Sequence, residues 1–213
     1  MLIRLLSKLS PHRALLTAAV AAVTAVTGGA MAQVDAADAL VRRISVEVID
    51  TVKSDKAIQS GDIARIIALV DTKVMPHVNF ETVTRSAVGP QWRNATAEQR
   101  TKLQTEFKTL LVRVYAGALV QVKDQAVEVT KTLPISGSTQ VVVQTEVRGK
   151  GEPIKLDYRL DKAGDAWKII DVNLGGIWLV QSYRSQFAPE LSKGGIDGLI
   201  TALTERNKSA ARG

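Results

Sequence analysis

The residue types that most often carry out enzyme chemistry are few in this chain and poorly spaced for it. Apart from His12, His77 is the one histidine, and the chain contains no cysteine. Zinc sites need several histidine, cysteine or carboxylate ligands, and a serine or cysteine nucleophile needs a histidine partner, so neither chemistry has support. His77 follows Pro76 at a predicted helix end, where histidines commonly bind free carbonyl groups. The sequence therefore predicts no catalytic residue and no metal site.

Four aspartates supply the one acid-rich group: Asp157, Asp161, Asp165 and Asp171. Their spacing does not match a calcium-binding loop, and two of them flank the turn at Gly164. Asp171 has the strand periodicity of an inward-facing residue. A buried carboxyl group beside Tyr158 or Tyr115 would have a raised pKa and could act as a base on a small hydrophobic substrate. This is the enzymatic alternative that the sequence leaves open.

Helix signals dominate the first half of the chain. A capping box at Thr96 and Gln99 begins the longest predicted helix, which extends to Val122. Shorter helices are predicted over 35–52, 63–70 and 79–88, so that helical structure fills 35–122. Apolar residues at helical spacing form a stripe along the longest helix: Leu103, Phe107, Leu110, Leu111, Val114, Tyr115, Ala118, Leu119 and Val122.

Apolar residues alternate with polar ones from about 125 to 174, which predicts strands. Four strands are expected, over 127–131, 141–147, 154–160 and 167–172. Tight turns join them, as in an antiparallel meander. Helical segments then follow over 177–206, interrupted at Gly194-Gly195. Helices, sheet and helices in this order indicate an α+β fold.

The stripe of the longest helix is expected to face the concave side of this sheet. Two interpretations fit the mostly aliphatic residues at that interface. They form a close-packed core, or they enclose a cavity walled by Val, Leu and Ile that suits acyl chains. Residue patterns alone do not choose between the two.

The first 32 residues have the pattern of a secretory signal peptide. A basic start without acids precedes an apolar run over 14–26, and Ala30-Met31-Ala32 provides a cleavage site. The run of about 13 residues is shorter than the roughly 20 that span a bilayer, although an uncleaved anchor is the alternative. Because Gln33 rather than cysteine follows, bacterial lipid attachment is not expected. We predict cleavage after Ala32 and a single domain over 33–213.

Charge argues against a nucleic-acid partner. The formal net charge of +7 falls to +4 on cleavage, because the predicted signal carries three basic residues and no acid. No cluster of Lys and Arg is interleaved with aromatic residues, as nucleic-acid binding requires. No glycine-rich phosphate loop follows a predicted strand, so nucleotide binding also lacks support.

Motifs spread over most of the chain carry a family resemblance. The first group is Phe80, Ser86-Ala87-Val88-Gly89, Trp92-Arg93, Ala95-Thr96, Gln99-Arg100, Leu103, Phe107, Leu110-Leu111 and Tyr115. The second is Tyr158, Leu160, Trp167-Lys168-Ile169, Asp171-Val172, Leu179-Val180, Tyr183-Arg184, Gln186-Phe187 and 195–200. With these residues the chain resembles the MlaC family of periplasmic phospholipid-binding proteins, also described as toluene-tolerance auxiliary proteins. One departure is Asn79, where we expect the family to carry Asp.

The resemblance implies an NTF2-like curved antiparallel sheet of about four strands packed on a long helix, with an additional helical subdomain. It also implies a monomeric, non-enzymatic periplasmic carrier whose cargo is phospholipid, with no cofactor. Its partners would be an outer-membrane lipoprotein complex and an inner-membrane ABC transporter bearing an MCE-domain protein. An adaptor with a solid core and no ligand is the remaining alternative.

We expect the lipid-binding residues to come from the helices and from the sheet. They are Phe80, Val83, Val88, Phe107, Leu111, Tyr115, Leu119, Val141, Val143, Leu156, Tyr158, Trp167, Ile169, Val180, Tyr183 and Phe187. Arg93 and Arg184 are candidates for contacts with a lipid head group or a protein partner.

Overall fold

A computed structural model describes residues 27–210, with side chains from Ala37 onward. The predicted signal peptide lies outside the described side chains, and cleavage after Ala32 would leave the first helix to begin at Gln33. The α-helices are α1 (Thr27–Ser54), α2 (Lys56–Gln59), α3 (Ile63–Leu69), α4 (Phe80–Val88), α5 (Ala97–Val120) and α6 (Leu179–Ser209). A π-helical turn (Val70–Val74) and a 3₁₀ turn (Met75–His77) connect α3 to α4, and a second 3₁₀ segment (Gly89–Asn94) connects α4 to α5.

Polar side chains begin the helices at the positions that the sequence predicts. Thr96 accepts a hydrogen bond from the Gln99 backbone N–H at 3.2 Å, and the Gln99 side chain accepts one from the Thr96 N–H at 2.9 Å. Asp62 caps α3 through the Arg65 N–H. Asn79 caps α4 through the Thr82 N–H at 3.1 Å. Because Asn and Asp are equally good N-caps, the departure at residue 79 preserves the helix start.

The sheet is an antiparallel meander in the order β1-β2-β3-β4-β5. Its strands are β1 (Ala126–Pro134), β2 (Val141–Arg148), β3 (Ile154–Ala163), β4 (Ala166–Leu174) and β5 (Ile177–Trp178). The α+β class and the four predicted strands are confirmed. The two-residue β5 corrects the predicted start of the C-terminal helices, which begin at Leu179. A register shift between Val129 and Lys131 marks an irregularity in β1.

Helix α1, rather than α5, packs on the sheet. Leu40, Val41 and Ile44 of α1 are buried against the sheet residues Val143 and Leu160. The expectation that the stripe of the longest helix faces the sheet holds only in part: α1 covers the sheet directly, whereas Phe107 and Leu111 of α5 face Ile169 of β4 across a cavity. Amphipathic spacing shows that a helix has a buried face, but it does not identify the element that covers that face.

The described residues form three apolar cores. The aromatic core joins α4, α5 and α6, and contains Trp92, Leu103, Phe107, Leu110, Tyr183, Phe187 and Leu199. The sheet core joins α1 to the strands, and contains Leu40, Val41, Ile44, Val141, Val143, Leu160, Trp167 and Ile169. The N-terminal core joins α1, α2, α3 and α5, and contains Val52, Ile58, Ile66, Leu69, Val112 and Ala116.

Helix α5 contributes to two of these cores with two different faces. Its first half buries Leu103 and Phe107 against α6, whereas its second half buries Val112 and Ala116 against the N-terminal helices. The predicted single stripe is therefore wrong at Val114, which is 55% exposed, and at the exposed Ala118, whereas Leu119 and Val122 pack against the N-terminal core. The buried face rotates along the helix because the packing partner changes.

The C-terminal segment bends at the predicted glycines. Gly195 has φ 60° and ψ −152° inside α6, a conformation that only glycine adopts readily.

Among the described residues, no helix is both long and apolar enough to cross a bilayer.

We predict that replacing the cap residue in Thr96→Ala lowers the free energy of unfolding by about 1 kcal/mol, because the backbone N–H of Gln99 loses its partner. Chemical denaturation measures this change. Thr105→Ala on the same helix is the matched control, since its exposed hydroxyl only bonds the Thr101 carbonyl. Equal losses in both variants would contradict the capping role.

Candidate functional site

A partly open cavity of about 150 Å³ lies where the three cores meet. The aromatic core contributes Phe80 and Phe107, the sheet core contributes Ile169, and the N-terminal core contributes Val112. The cavity therefore occupies the junction that none of the three cores fills. The interpretation of the interior as one close-packed core does not hold at this junction.

The cavity wall is almost entirely apolar. Thirteen of its fifteen lining residues are apolar, and Lys108 and Asp171 are the two exceptions. Phe107 lies at the centre of an aromatic group, with ring centroids 4.9 Å from Tyr183, 5.1 Å from Phe187 and 5.7 Å from Phe80. Edge-to-face packing of this kind holds the rings in fixed positions. Such a wall favours hydrocarbon and gives a polar substrate few hydrogen-bonding partners.

Six of the sixteen predicted lipid-binding residues line this cavity: Phe80, Val83, Phe107, Leu111, Ile169 and Val180. Another eight belong to or pack against the surrounding cores. Val88, Tyr183 and Phe187 lie in the aromatic core, Val141, Val143, Tyr158 and Trp167 in the sheet core, and Leu119 against the N-terminal core. Tyr115 and Leu156 are half-buried outside the three cores. That the sixteen contact lipid stays a prediction.

Sequence reasoning missed one flank of the cavity, between α3 and α4. Val70, Val74, Met75 and Val78 line it, together with Val172 and Leu179 on other elements. Val70 and Val74 are four residues apart and precede Pro76, so an apolar face running to a helix end was visible. That this face lines a cavity could not be predicted, because the π-helical and 3₁₀ turns that contain these residues follow neither the helix nor the strand period.

Asp171 joins the sheet to α6 at the edge of the cavity. It is 6% exposed, and its Oδ1 accepts hydrogen bonds from the backbone N–H groups of Val172 at 2.9 Å and Val180 at 3.0 Å. Val180 lies in the first turn of α6, and the Trp178 side chain makes no capping bond there. Asp171 thus acts as a helix cap supplied by a strand. Burial raises the pKa of its carboxyl group, while these hydrogen bonds oppose that rise.

The two tyrosines proposed as partners of Asp171 lie in other environments. Burial raises the pKa of Tyr158 to about 12, and the nearby Ser45 on α1 opposes this rise. Burial also raises the pKa of Tyr183 to about 12, and the neighbouring Tyr115 adds to this rise. Within the described residues, Asp171 has backbone N–H groups rather than either tyrosine as hydrogen-bond partners.

A salt bridge connects two elements that line the cavity. Lys108 of α5 lies 2.7 Å from Asp71 of the π-helical turn, and both side chains are partly exposed. Lys108 also lines the cavity, so this ion pair links its helical wall to the flank that contains Val70 and Val74. Exposed pairs contribute little to stability, and this one can open at low cost.

This fold and cavity define a class of protein in which a sheet and helices surround an apolar cavity. A model of the MlaC protein family matches residues 42–205, and the chain belongs to that family. Among its relatives, the toluene tolerance protein ttg2D of Pseudomonas putida is 24% identical over 159 residues, which cover 74% of each chain. The intermembrane phospholipid transport system binding protein MlaC of Haemophilus influenzae is 25% identical over 141 residues, covering 64% of this chain and 66% of its own.

A solved structure shows the same fold with its ligand. The phospholipid-binding protein from Ralstonia solanacearum, in complex with a phospholipid, has a TM-score of 0.79 and is 40% identical to this chain. The match covers 82% of this chain and 98% of that one. The family resemblance seen in the sequence is thereby confirmed.

We predict that Asp171→Asn alters how stability depends on pH. Because the pKa of Asp171 is raised on folding, the folded protein holds this proton more tightly than the unfolded chain. The contribution of Asp171 to stability should therefore fall as pH rises from about 4, the usual pKa of Asp, through its raised value. Asn retains the acceptor oxygen but does not titrate.

The measurement is the free energy of unfolding of both proteins across this acidic range. The wild-type value minus the Asp171→Asn value should decrease with rising pH and then become constant. A difference that stays constant or increases across the range would contradict a raised pKa.

Proposed function

We propose that this protein is a soluble periplasmic phospholipid carrier that encloses acyl chains in the cavity at the junction of its three cores. The observation that carries the proposal is the apolar cavity in a chain whose 40% identical structural relative is in complex with a phospholipid. The predicted export signal supports the location. Cleavage after Ala32 with Gln33 following would leave the protein attached to neither membrane.

Covering the acyl chains is the main energetic task of such a carrier. Each exposed CH₂ group costs about 0.8 kcal/mol, so two chains cost on the order of 20 kcal/mol in water. Cavities for drug-sized ligands are roughly 300–1,000 Å³, and this cavity holds about 150 Å³. Lipid uptake therefore requires the walls to separate.

The wall most able to separate is the flank between α3 and α4. It consists of short π-helical and 3₁₀ turns, which have weaker hydrogen-bond geometry than an α-helix. The salt bridge between Lys108 and Asp71 holds it to α5. We infer that this flank moves outward when lipid enters and that partner docking favours the open state.

Membership of the family supports a proposal for the partners. We propose exchange of lipid between an outer-membrane lipoprotein complex and an inner-membrane ABC transporter with an MCE-domain protein, which would maintain lipid asymmetry of the outer membrane. The Haemophilus relative, named for an intermembrane phospholipid transport system, supports this assignment. The carrier acts as a monomer without cofactor or covalent chemistry, and Asp171 serves as a structural cap rather than as a base.

We predict that Leu111→Trp reduces the phospholipid that co-purifies with the mature protein at least tenfold, because the indole fills the cavity that Leu111 lines. Organic extraction followed by mass spectrometry measures the lipid. Val114→Trp is the matched control, since Val114 lies on the same helix and is 55% exposed. It should retain wild-type lipid.

Two outcomes would contradict the proposal. The first is wild-type protein without co-purified phospholipid that also takes up none from vesicles. The second is equal lipid in the Leu111→Trp and wild-type proteins while the variant keeps its fold. An enzyme would instead turn over a substrate in an Asp171-dependent manner.

A further inference from the structure

A groove lined by three arginines lies beside the lipid cavity. It has a volume of about 460 Å³ and is formed by Arg85, Ser86, Gly89, Pro90, Trp92, Arg93, Val180 and Arg184. Val180 lines both this groove and the apolar cavity, so the two share a wall. We call this surface the arginine groove. Its position places positive charge next to the site proposed for acyl chains.

The three arginines of the groove carry uncompensated charge. No acidic residue lines the groove. Among the described residues, none of the three arginines forms a salt bridge, whereas Lys108 on the cavity wall is already paired with Asp71. Arg85 uses one N–H group to bond the Thr82 hydroxyl at 3.3 Å, and its other donors stay free for a ligand.

Glycine at position 89 makes room for the Arg184 side chain. Gly89 has φ +74°, and a Cβ atom built there would lie 3.3 Å from both Nε and Nη2 of Arg184. The guanidinium group thus lies against backbone that only a glycine leaves open. Arg184 is also one helical turn beyond Val180 on α6, so the two point to the same side of that helix.

We propose that the arginine groove binds the phosphodiester group of the phospholipid whose acyl chains occupy the cavity. This inference rests on the proposed function and assigns a head-group site to it. Guanidinium groups bind phosphate oxygens through paired charge-assisted hydrogen bonds. Because Val180 borders both sites, a lipid whose chains lie beside Val180 would extend past this residue to place its phosphate in the groove.

The arginine groove should select lipids by charge. Every phosphodiester carries a negative charge, so the groove distinguishes phospholipids from neutral diacylglycerols rather than one head group from another. The attraction between the arginines and the phosphate is electrostatic, and the groove is partly exposed to solvent. The preference for phospholipid should therefore decrease at high ionic strength.

The test compares two soluble lipids with the same chains, dihexanoyl phosphatidylglycerol and dihexanoylglycerol. Binding is measured for the wild type, for Arg184→Gln and for the triple variant Arg85→Gln/Arg93→Gln/Arg184→Gln. Arg148→Gln is the control, because Arg148 lies at the end of β2 and away from both the groove and the cavity. Thermal unfolding verifies that each variant is folded.

We expect the wild type and Arg148→Gln to bind the phospholipid roughly tenfold more tightly than the diacylglycerol. Arg184→Gln should lose part of this preference, and the triple variant should lose nearly all of it while binding the diacylglycerol as before. A triple variant that keeps the wild-type preference would overturn the head-group site and leave the carrier function standing. Wild type that binds neither lipid would overturn the carrier function itself.

Inorganic phosphate distinguishes a lipid site from a general anion site. The Nε–H signals of the groove arginines, followed by NMR, should shift at lower concentrations of the phospholipid than of inorganic phosphate. Equal apparent affinities would mean that the acyl chains contribute nothing, and would overturn the assignment to the carried lipid.

Discussion

Three apolar cores that touch but do not merge are the constraint on which this structure depends. A single core would pack to crystal-like density and leave no space for a ligand. Here the helices of the aromatic core, the α1–sheet unit and the N-terminal helices each bury their own apolar residues. The cavity lies at their junction, and its walls therefore belong to units that are each stabilised separately. The proposed entry of lipid would therefore separate the walls at this junction and leave each core packed.

Specific polar contacts set the limits of that separation. On one side, the Asp171 carboxylate of β4 caps α6, a buried hydrogen bond between the sheet and the aromatic core. On the other side, the partly exposed pair of Lys108 and Asp71 joins α5 to the π-helical turn. Buried hydrogen bonds of a charged group are stronger than exposed ion pairs, so the two sides differ in how easily they yield. This difference supports the proposal that the side with the exposed pair opens to lipid.

The sequence predicted local structure well because local structure is encoded in neighbouring residues. The capping box at Thr96, the cap at Asn79 and the alternation in β2 through β4 each depend on residues a few positions apart. Whether α5 or α1 covers the sheet depends instead on residues that lie far apart in the chain, and the prediction failed there. The same dependence on distant residues explains why the burial predicted for Val114 was wrong. Val114 continues the spacing of the first half of α5, but the helix packs against a different partner there.

Part of the site was predictable for a related reason. Phe107 and Leu111 belong to a regular helix, so the helix face on which they lie could be inferred from their spacing. Val74 and Met75 lie in turns that have no helical or strand periodicity. The helix predicted over 79–88 ends just before Gly89. The space that this glycine leaves for Arg184 arises only when α4 and α6 meet, so local sequence does not reveal it.

The edges of the sheet matter for the proposed carrier function, because exchange of acyl chains would uncover apolar surface. Unpaired strand edges are templates for self-association, and uncovered apolar surface adds to that tendency. The register shift between Val129 and Lys131 interrupts one edge. At the other edge, β5 pairs with Asn173 and Leu174 of β4, and the segment before α4 covers β4 further along through a bridge between Val78 and Ile169. Lys131 and Pro134 on β1 further disfavour the addition of a strand. These features protect the sheet edges against self-association, including in the lipid-free state that the proposed carrier function requires.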